Sequence, residues 1–238
     1  MSRLASLSAL LFSALSLASC GAPTPATATI SGDAFDFSVG ISGGIAGAHV
    51  FVLEDPTLGA TTDAAGHFLI PGVPVGSDAS LVMEHPDYIL VQTATFEVPA
   101  AGLSRVTFQA VTPDVRDALA GVLSLTIDPA ACQMVTTVTR IGRSVYDPGA
   151  HGEAGVTVTL DPPLPATSGP VYFNSSVIPQ RSLTETSDDG GVLFANVPPG
   201  DYTWTATKAG ATFAQVRMTC RAGVLVNAAP PWGLQRLM

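Results

Sequence analysis

The chain has 238 residues, of which 47% are hydrophobic and only 12% are charged. Acidic residues outnumber basic ones by 19 to 10, which gives a formal net charge of −9. An acidic chain this poor in lysine and arginine lacks the basic surface on which nucleic-acid binding depends, so we expect no nucleic-acid partner.

The first 19 residues predict a signal peptide. A short positive start that includes Arg3 precedes an apolar run of small residues, which is too short to span a bilayer. The run ends in Leu-Ala-Ser-Cys at residues 17–20, which resembles a bacterial lipobox. The resemblance implies a lipid on Cys20, and Gly21 implies delivery to the outer membrane. We therefore expect a lipid-anchored protein on either face of the outer membrane; the alternative is a soluble secreted protein in which Cys20 is incidental.

The rest of the chain is typical of an all-β protein with two units. Small residues and proline in 20–28 indicate a flexible tether. Short runs rich in Val, Ile, Phe and Thr, separated by Gly and Pro, then predict a β-sandwich over 29–112. Apolar residues recur at helical spacing behind Pro113, which predicts a linker helix over 113–124. A second β-sandwich is expected over 125–238.

Two cysteines lie in the second unit. With Cys20 assigned to lipid, Cys132 and Cys220 remain as an even pair in an exported chain, which favours a disulfide between them. The alternative, a redox or metal-binding pair, lacks the Cys-x-x-Cys spacing typical of such sites.

The two units contain an internal repeat. Seven positions between Thr62 and Gly76 match positions between Thr186 and Gly200 at a constant offset of 124, and Gly47-Ala48-His49-Val50 matches Gly155-Val156-Thr157-Val158 at an offset of 108. The second copy therefore carries an insertion of 16 residues, which falls within the Pro-rich segment 161–182.

The repeated motif resembles the carboxypeptidase regulatory-like domain of the transthyretin-like (prealbumin-like) group. The resemblance rests on Gly-Ala-x-Val-x-Val followed by Thr-Asp-x-x-Gly-x-Phe-x-Ile and Val-Pro-x-Gly, and it covers residues 28–112 and 125–229. It implies a seven-stranded Greek-key β-sandwich in each copy. It implies little about function, because such modules occur in proteins of many functions.

Residues with catalytic or metal-binding chemistry are scattered. The four histidines, at positions 49, 67, 85 and 151, lack the spacing of a metal site, and no Gly-x-Ser-x-Gly elbow occurs. We expect no catalysis, no cofactor and no metal. An alternative left open is Ca²⁺ at the paired carboxylates Glu54/Asp55 and Asp188/Asp189, which lie in predicted turns.

Candidate binding residues lie in the insertion and the tail. Tyr172 and Phe173 stand beside Asn174, and aromatic rings next to amide groups are typical of sugar-binding surfaces. Alternatively, these rings pack on the edge of the sandwich. Trp232 is a second candidate. We expect a non-catalytic, structural, adhesive or protein-interaction component of the cell envelope with an envelope protein as partner; the alternative is a carbohydrate-binding lipoprotein with a polysaccharide as partner.

Overall fold

The computed structural model describes residues 25–38, 40–228 and 233–238. Strands are their main regular secondary structure, which confirms the predicted all-β class. One turn of 3-10 helix covers Gly40–Ser42, and the helix α1 spans Pro113–Val122. Within the described residues, no helix has both the length and the apolar character needed to cross a membrane. The strands are β1 (Thr27–Asp36), β2 (His49–Val52), β3 (Gly59–Thr61), β4 (His67–Pro74), β5 (Asp78–Glu84), β6 (Val91–Glu97), β7 (Leu103–Ala110), β8 (Cys132–Thr139), β9 (Thr157–Asp161), β10 (Val171–Phe173), β11 (Pro179–Gln180), β12 (Gly191–Val197), β13 (Gly200–Thr207), β14 (Val216–Cys220), β15 (Leu225–Asn227) and β16 (Leu234–Gln235).

The first half of the fold, β1 to β7, is a sandwich of two sheets. One sheet has the order β4-β1-β7, with β1 antiparallel to β4 and parallel to β7. The facing sheet runs β3-β2-β5-β6 with antiparallel neighbours. Inward residues alternate with outward ones along the strands, as the two-residue period requires. The inward side chains form one core, whose fully buried members include Ile30, Val50, Ile70, Leu81 and Phe108.

The second half, β8 to β16, is a sandwich around Trp204. One sheet runs β11-β10-β12-β8-β15, and β16 pairs with the same edge of β8 beyond β15. The facing sheet runs β9-β13-β14. The Trp204 indole is fully buried, donates its N–H to the sulfur of Met218 at 2.7 Å, and packs edge-on against Phe194 with ring centroids 5.2 Å apart.

Strand β6 belongs to both halves. It pairs with β5 in its own half, parallel to β15 at Val91 and Leu225, and antiparallel to β14 at Thr95 and Arg217. Val91 contributes to the first core, whereas Ala94 of the same strand contributes to the second. The two sandwiches are therefore joined by a shared strand as well as by the segment that carries α1.

Side chains reinforce the join next to β6. Gln92 is fully buried; its amide nitrogen donates to the carbonyl oxygen of Thr219, and its amide oxygen accepts from Nε of Arg221, both at 2.8 Å. On the surface, Arg217 forms a two-pronged ion pair with Asp78 at 2.6 and 3.0 Å. The buried contacts stabilise the join more than the exposed ion pair, because solvent screens the latter.

Tyr146, in the loop after β8, reaches back to the first half. Its hydroxyl donates to the buried carboxylate of Asp33, which also pairs with His67. The guanidinium of Arg105 lies 4.1 Å from the centre of the Tyr146 ring. Burial and the bond to Asp33 raise the pKa of Tyr146 well above its usual value, so the phenol stays protonated and continues to donate.

The repeated motif forms the same turn in both halves. Gly66 and Gly190 have φ angles of 85° and 78°, a region that favours glycine. Their carbonyl oxygens accept from the amides of Ala34 and Val138, each at 2.9 Å. A Cβ on either glycine would lie within 2.5 Å of a carbonyl oxygen. The repeated motif in the sequence therefore corresponds to the same turn in both halves.

Helix α1 is defined by capping at both ends. The Thr112 hydroxyl accepts from the amide of Val115 at 3.3 Å, and Pro113 fits the first turn because its missing N–H would have no partner there. At the C-terminal end, Ser124 has a φ of 50°, and Leu125 donates to the carbonyl oxygen of Ala120. This is a Schellman motif, which turns the chain back across the helix end.

A disulfide joins Cys132 in β8 to Cys220 in β14, as the sequence predicted. It links the two facing sheets of the second half across a sequence separation of 88 residues. Closing a loop of that length stabilises a fold by about 4 kcal/mol in the chain-entropy model.

Candidate functional site

A pocket lies between α1 and the outer face of the larger sheet of the second half. Its volume is about 460 Å³, which is within the range of small-molecule sites. We call it the α1 pocket. Its floor consists mainly of side chains on the sheet face opposite the core, namely Gln133, Val135 and Thr137 of β8, Gly191 and Leu193 of β12, Leu225 and Asn227 of β15, and Phe173 of β10.

The helix forms the roof of the pocket. Arg116, Leu119, Ala120 and Leu123 line the cavity, and their spacing of three, one and three residues places them on one face of the helix. Because the Schellman motif reverses the chain after α1, Leu125 and Ile127 continue the same wall. Only Ala120 among the helix residues is buried. Val115 packs against the first core, whereas the apolar residues from Leu119 to Leu123 on this face border the cavity.

The first half closes one side of the pocket. Phe37 and Ser38 follow β1, Ile89 precedes β6, and Val111 follows β7, and all four line the cavity. The pocket thus depends on the join between the halves.

Two titratable residues lie on the pocket wall opposite the helix. Oδ2 of Asp189 accepts from the amide of Gly191 at 3.0 Å. Burial raises the pKa of Asp189 above its ordinary value, and the bond from Gly191 and the nearby His151 only partly oppose this effect. Nδ1 of His151 is buried and has no hydrogen-bond partner among the described residues. The site therefore combines apolar walls with one acidic corner, which is the partly buried carboxylate of Asp189.

The repeat explains why the pocket occurs in the second half. At the offset of 124, Asp189 corresponds to Ala65, and Gly191 corresponds to His67. His67 carries a side chain that pairs with Asp33, whereas Gly191 has none, and Asp189 and Phe173 occupy the space beside it. A Cβ on Gly191 would lie 2.5 Å from Oδ2 of Asp189 and 3.0 Å from Cβ of Phe173. Because residue 191 has no side chain, there is room for the carboxylate of Asp189.

Two of the candidate binding aromatics are buried on opposite faces of β10. Tyr172 points into the second core, where its hydroxyl accepts from the amide of Val158 at 3.0 Å. Phe173 lines the α1 pocket and is 8% exposed. The strand encloses both rings, which is the packing that the sequence offered as the alternative to a sugar-binding surface.

Asn174 shapes the hairpin between β10 and β11. Its side-chain oxygen accepts from the amides of Ser176 and Ile178 at 2.9 and 3.1 Å. This turn holds Val177 at the pocket wall with 42% of its surface exposed. Asn174 therefore positions a pocket residue through its side-chain oxygen.

Other candidate residues lie outside the described part of the chain. These are Cys20, with the predicted signal peptide and most of the tether, and Trp232.

The paired carboxylates occupy turns. The Glu54 carboxylate accepts from the amide of Ser80 at 2.8 Å, and Asp55 accepts from the amide and hydroxyl of Thr57. Across the residues that the structure describes, no cluster of three His, Cys, Asp or Glu side chains could hold a metal ion. His49 and His67 are exposed on their strands.

The sequence analysis missed Asp189 and His151 as pocket residues. A signal was present, since Ala65 in the first copy is replaced by a carboxylate in the second. The replacement points to a pocket only if α1 covers the outer face of the sheet, and the repeat alone does not predict that position of the helix.

Comparison with known proteins identifies no family. No protein-family model matches the chain, and no curated protein matches it. Among solved structures, the Bacillus anthracis TIE protein aligns with 85% of this chain and 33% of its own, at 12% identity and a TM-score of 0.30. The chain thus spans about a third of that protein.

Two pilins give similar values. A streptococcal ancillary pilin aligns with 88% of this chain and 68% of its own, at 10% identity and a TM-score of 0.28. A minor pilin of Streptococcus agalactiae aligns with 81% of this chain and 83% of its own, at 11% identity and a TM-score of 0.28. At these scores the likeness carries no argument, and the fold class rests on the sheets described above.

Proposed function

We propose that the chain is a lipid-anchored, non-catalytic binding protein of the cell envelope, and that the α1 pocket binds a small apolar molecule. The lipobox-like residues 17–20 support the anchor, and the disulfide supports an oxidising compartment. The observation that carries the proposal is the apolar face of α1, which covers a cavity of about 460 Å³ instead of packing on the sheet.

The geometry of β1 supports binding away from the membrane. The strand begins at Thr27, close to the proposed anchor, and ends ten residues later beside Phe37 at the pocket wall. At about 3.3 Å per residue, roughly 30 Å separate the two ends of the strand. We therefore expect the pocket to lie at the end of β1 that is remote from the proposed anchor.

The test is binding of the neutral fluorescent probe N-phenyl-1-naphthylamine to the exported chain. We expect saturable binding that is weakened by Leu193→Gln, which places an amide in the pocket wall. The matched control is Leu69→Gln, since Leu69 is the repeat equivalent of Leu193 and is 59% exposed on the first half. Equal effects of the two changes, with both variants folded by circular dichroism, would refute pocket binding.

A second candidate function, a structural or adhesive component with a protein partner, is favoured by the join between the halves. The shared strand β6 and the buried Gln92 contacts give one body rather than two flexibly linked units. Cross-linking mass spectrometry on intact membranes tests this function. It predicts a recurrent envelope protein cross-linked to the chain, and only random neighbours would count against it.

A further inference from the structure

We infer that the ligand of the α1 pocket is a small molecule with an apolar body and a protonated amine, and that the amine pairs with the carboxylate of Asp189. This inference rests on the proposed function, because it names the chemistry of the ligand that the pocket binds. In this inference, the carboxylate of Asp189 recognises the cationic group of the ligand.

The first step is the position of the carboxylate. Asp189 lines the pocket together with Gly191 and Phe173, and its Oδ2 lies on the side of Gly191 where a side chain would stand, close to Phe173. An ammonium group in this corner would meet an acidic oxygen and an aromatic ring together. Both attract cations, the carboxylate by charge and the ring by its quadrupole.

The second step is the absence of a lysine or arginine counter-ion among the described residues. No lysine or arginine in the described residues forms an ion pair with Asp189. Arg116, the cationic residue on the helix side of the pocket, is paired with Asp117 at 2.7 Å. The titratable groups that face Asp189 are His151 and Asp188, whose effects on its pKa oppose each other. A carboxylate in an apolar wall without a cation gains from a ligand that supplies one.

The third step is the comparison within the repeat. The turn in the first half holds together with Ala65 at the equivalent position, because Asp63 accepts from the amides of Ala65 and His67. Ser187 replaces Asp63 in the second half, and Asp189 takes over the bond to the amide of residue 191. That turn bond uses Oδ2 alone, so the carboxylate retains acceptor capacity for a ligand.

The charge of the whole molecule agrees with this chemistry. A formal net charge of −9 attracts cations and repels anions at long range. A fatty acid would bring its carboxylate against Asp189, which like-charge repulsion disfavours. An amine with an aliphatic or aromatic body fits both the walls and the acidic corner.

The experiment compares three ligands of one body and different head groups: n-octylamine, octan-1-ol and octanoate. Each displaces N-phenyl-1-naphthylamine from the exported chain at pH 7. We expect octylamine to bind at least about tenfold more tightly than octanol, because a hydrogen bond to a charged group is stronger than one to a neutral group. Octanoate should bind weakest.

Two variants locate the effect. Asp189→Asn keeps an acceptor for Gly191 and should remove the advantage of octylamine over octanol, with both ligands measured on the same variant. The control, Asp188→Asn, should retain the advantage. If octanol binds as tightly as octylamine, or if the advantage survives Asp189→Asn, the inference is wrong and the pocket remains a binding site. If neither the probe nor any of the three ligands binds, the proposed function fails as well.

Discussion

Thr62 and Thr186 make the same pair of hydrogen bonds in the two halves of the molecule. Thr62 accepts from the amide of Ala48 at 2.9 Å and donates to the carbonyl oxygen of Ile45 at 2.6 Å. Thr186 accepts from the amide of Val156 at 3.0 Å and donates to the carbonyl oxygen of Glu153 at 2.6 Å. Both side chains are buried. Each threonine therefore ties its own loop to the segment just before a strand, which is β2 for Thr62 and β9 for Thr186.

Replacing either threonine by valine should destabilise the fold by about 2 kcal/mol, because a buried N–H and a buried carbonyl lose their partner. Serine, which keeps the hydroxyl, should cost less. Urea denaturation of Thr62→Val, Thr186→Val and the two serine variants measures the difference. Equal losses for valine and serine at either site would contradict the role given to the hydroxyl.

Gln92→Ala should weaken the join between the halves. The change leaves Arg221 and the carbonyl oxygen of Thr219 without their bonds at a buried position. We expect the single unfolding transition of the native chain to separate into two by calorimetry. The control is Gln215→Ala, since Gln215 is exposed and bonds within the second half. A single unchanged transition in Gln92→Ala would show that the shared strand is sufficient.

Glu153 should make the free energy of unfolding fall at acidic pH. Its carboxylate is 8% exposed and pairs with Lys208 and Arg236, and the Lys208 ammonium holds the pKa of Glu153 below its ordinary value of 4.5. A lowered pKa means that the stabilisation is present above about pH 4.5 and is lost as the pH falls through the folded pKa. Glu153→Gln should therefore lose about 2 kcal/mol at pH 7 and show a flatter decline in acid.

Urea unfolding between pH 7 and pH 3 measures this effect. The exposed Glu97→Gln is the control and should follow the native curve. If Glu153→Gln loses stability with falling pH as steeply as the native chain does, other groups cause the loss of stability in acid.

The disulfide should hold the facing sheets of the second half together. A Cys132→Ala, Cys220→Ala double variant should lose about 4 kcal/mol of stability. Thermal unfolding of the native chain with and without reductant provides the matched comparison, and reductant should leave the melting temperature of the double variant unchanged. A native melting temperature that is insensitive to reductant would contradict this stabilising role.

The sequence predicted the features that depend on local chemistry. Strand alternation, the turn glycines Gly66 and Gly190 and the spacing behind Pro113 each leave a mark within a few residues, so the all-β class, the repeat and α1 were accessible. The pairing of β6 with β14 and β15 joins residues more than 100 positions apart, and periodicity carries no signal for it. The burial of Phe173 was not predictable in the same way, because a three-residue strand is too short to show which face is covered.

The most direct test of the account is a structure of the exported chain bound to n-octylamine. We predict that the alkyl chain lies beneath α1 against Leu119 and Leu193, with the nitrogen within hydrogen-bond distance of Asp189. A pocket that stays empty in the complex, or an amine bound at another surface, would contradict the central claim that the α1 pocket is the binding site.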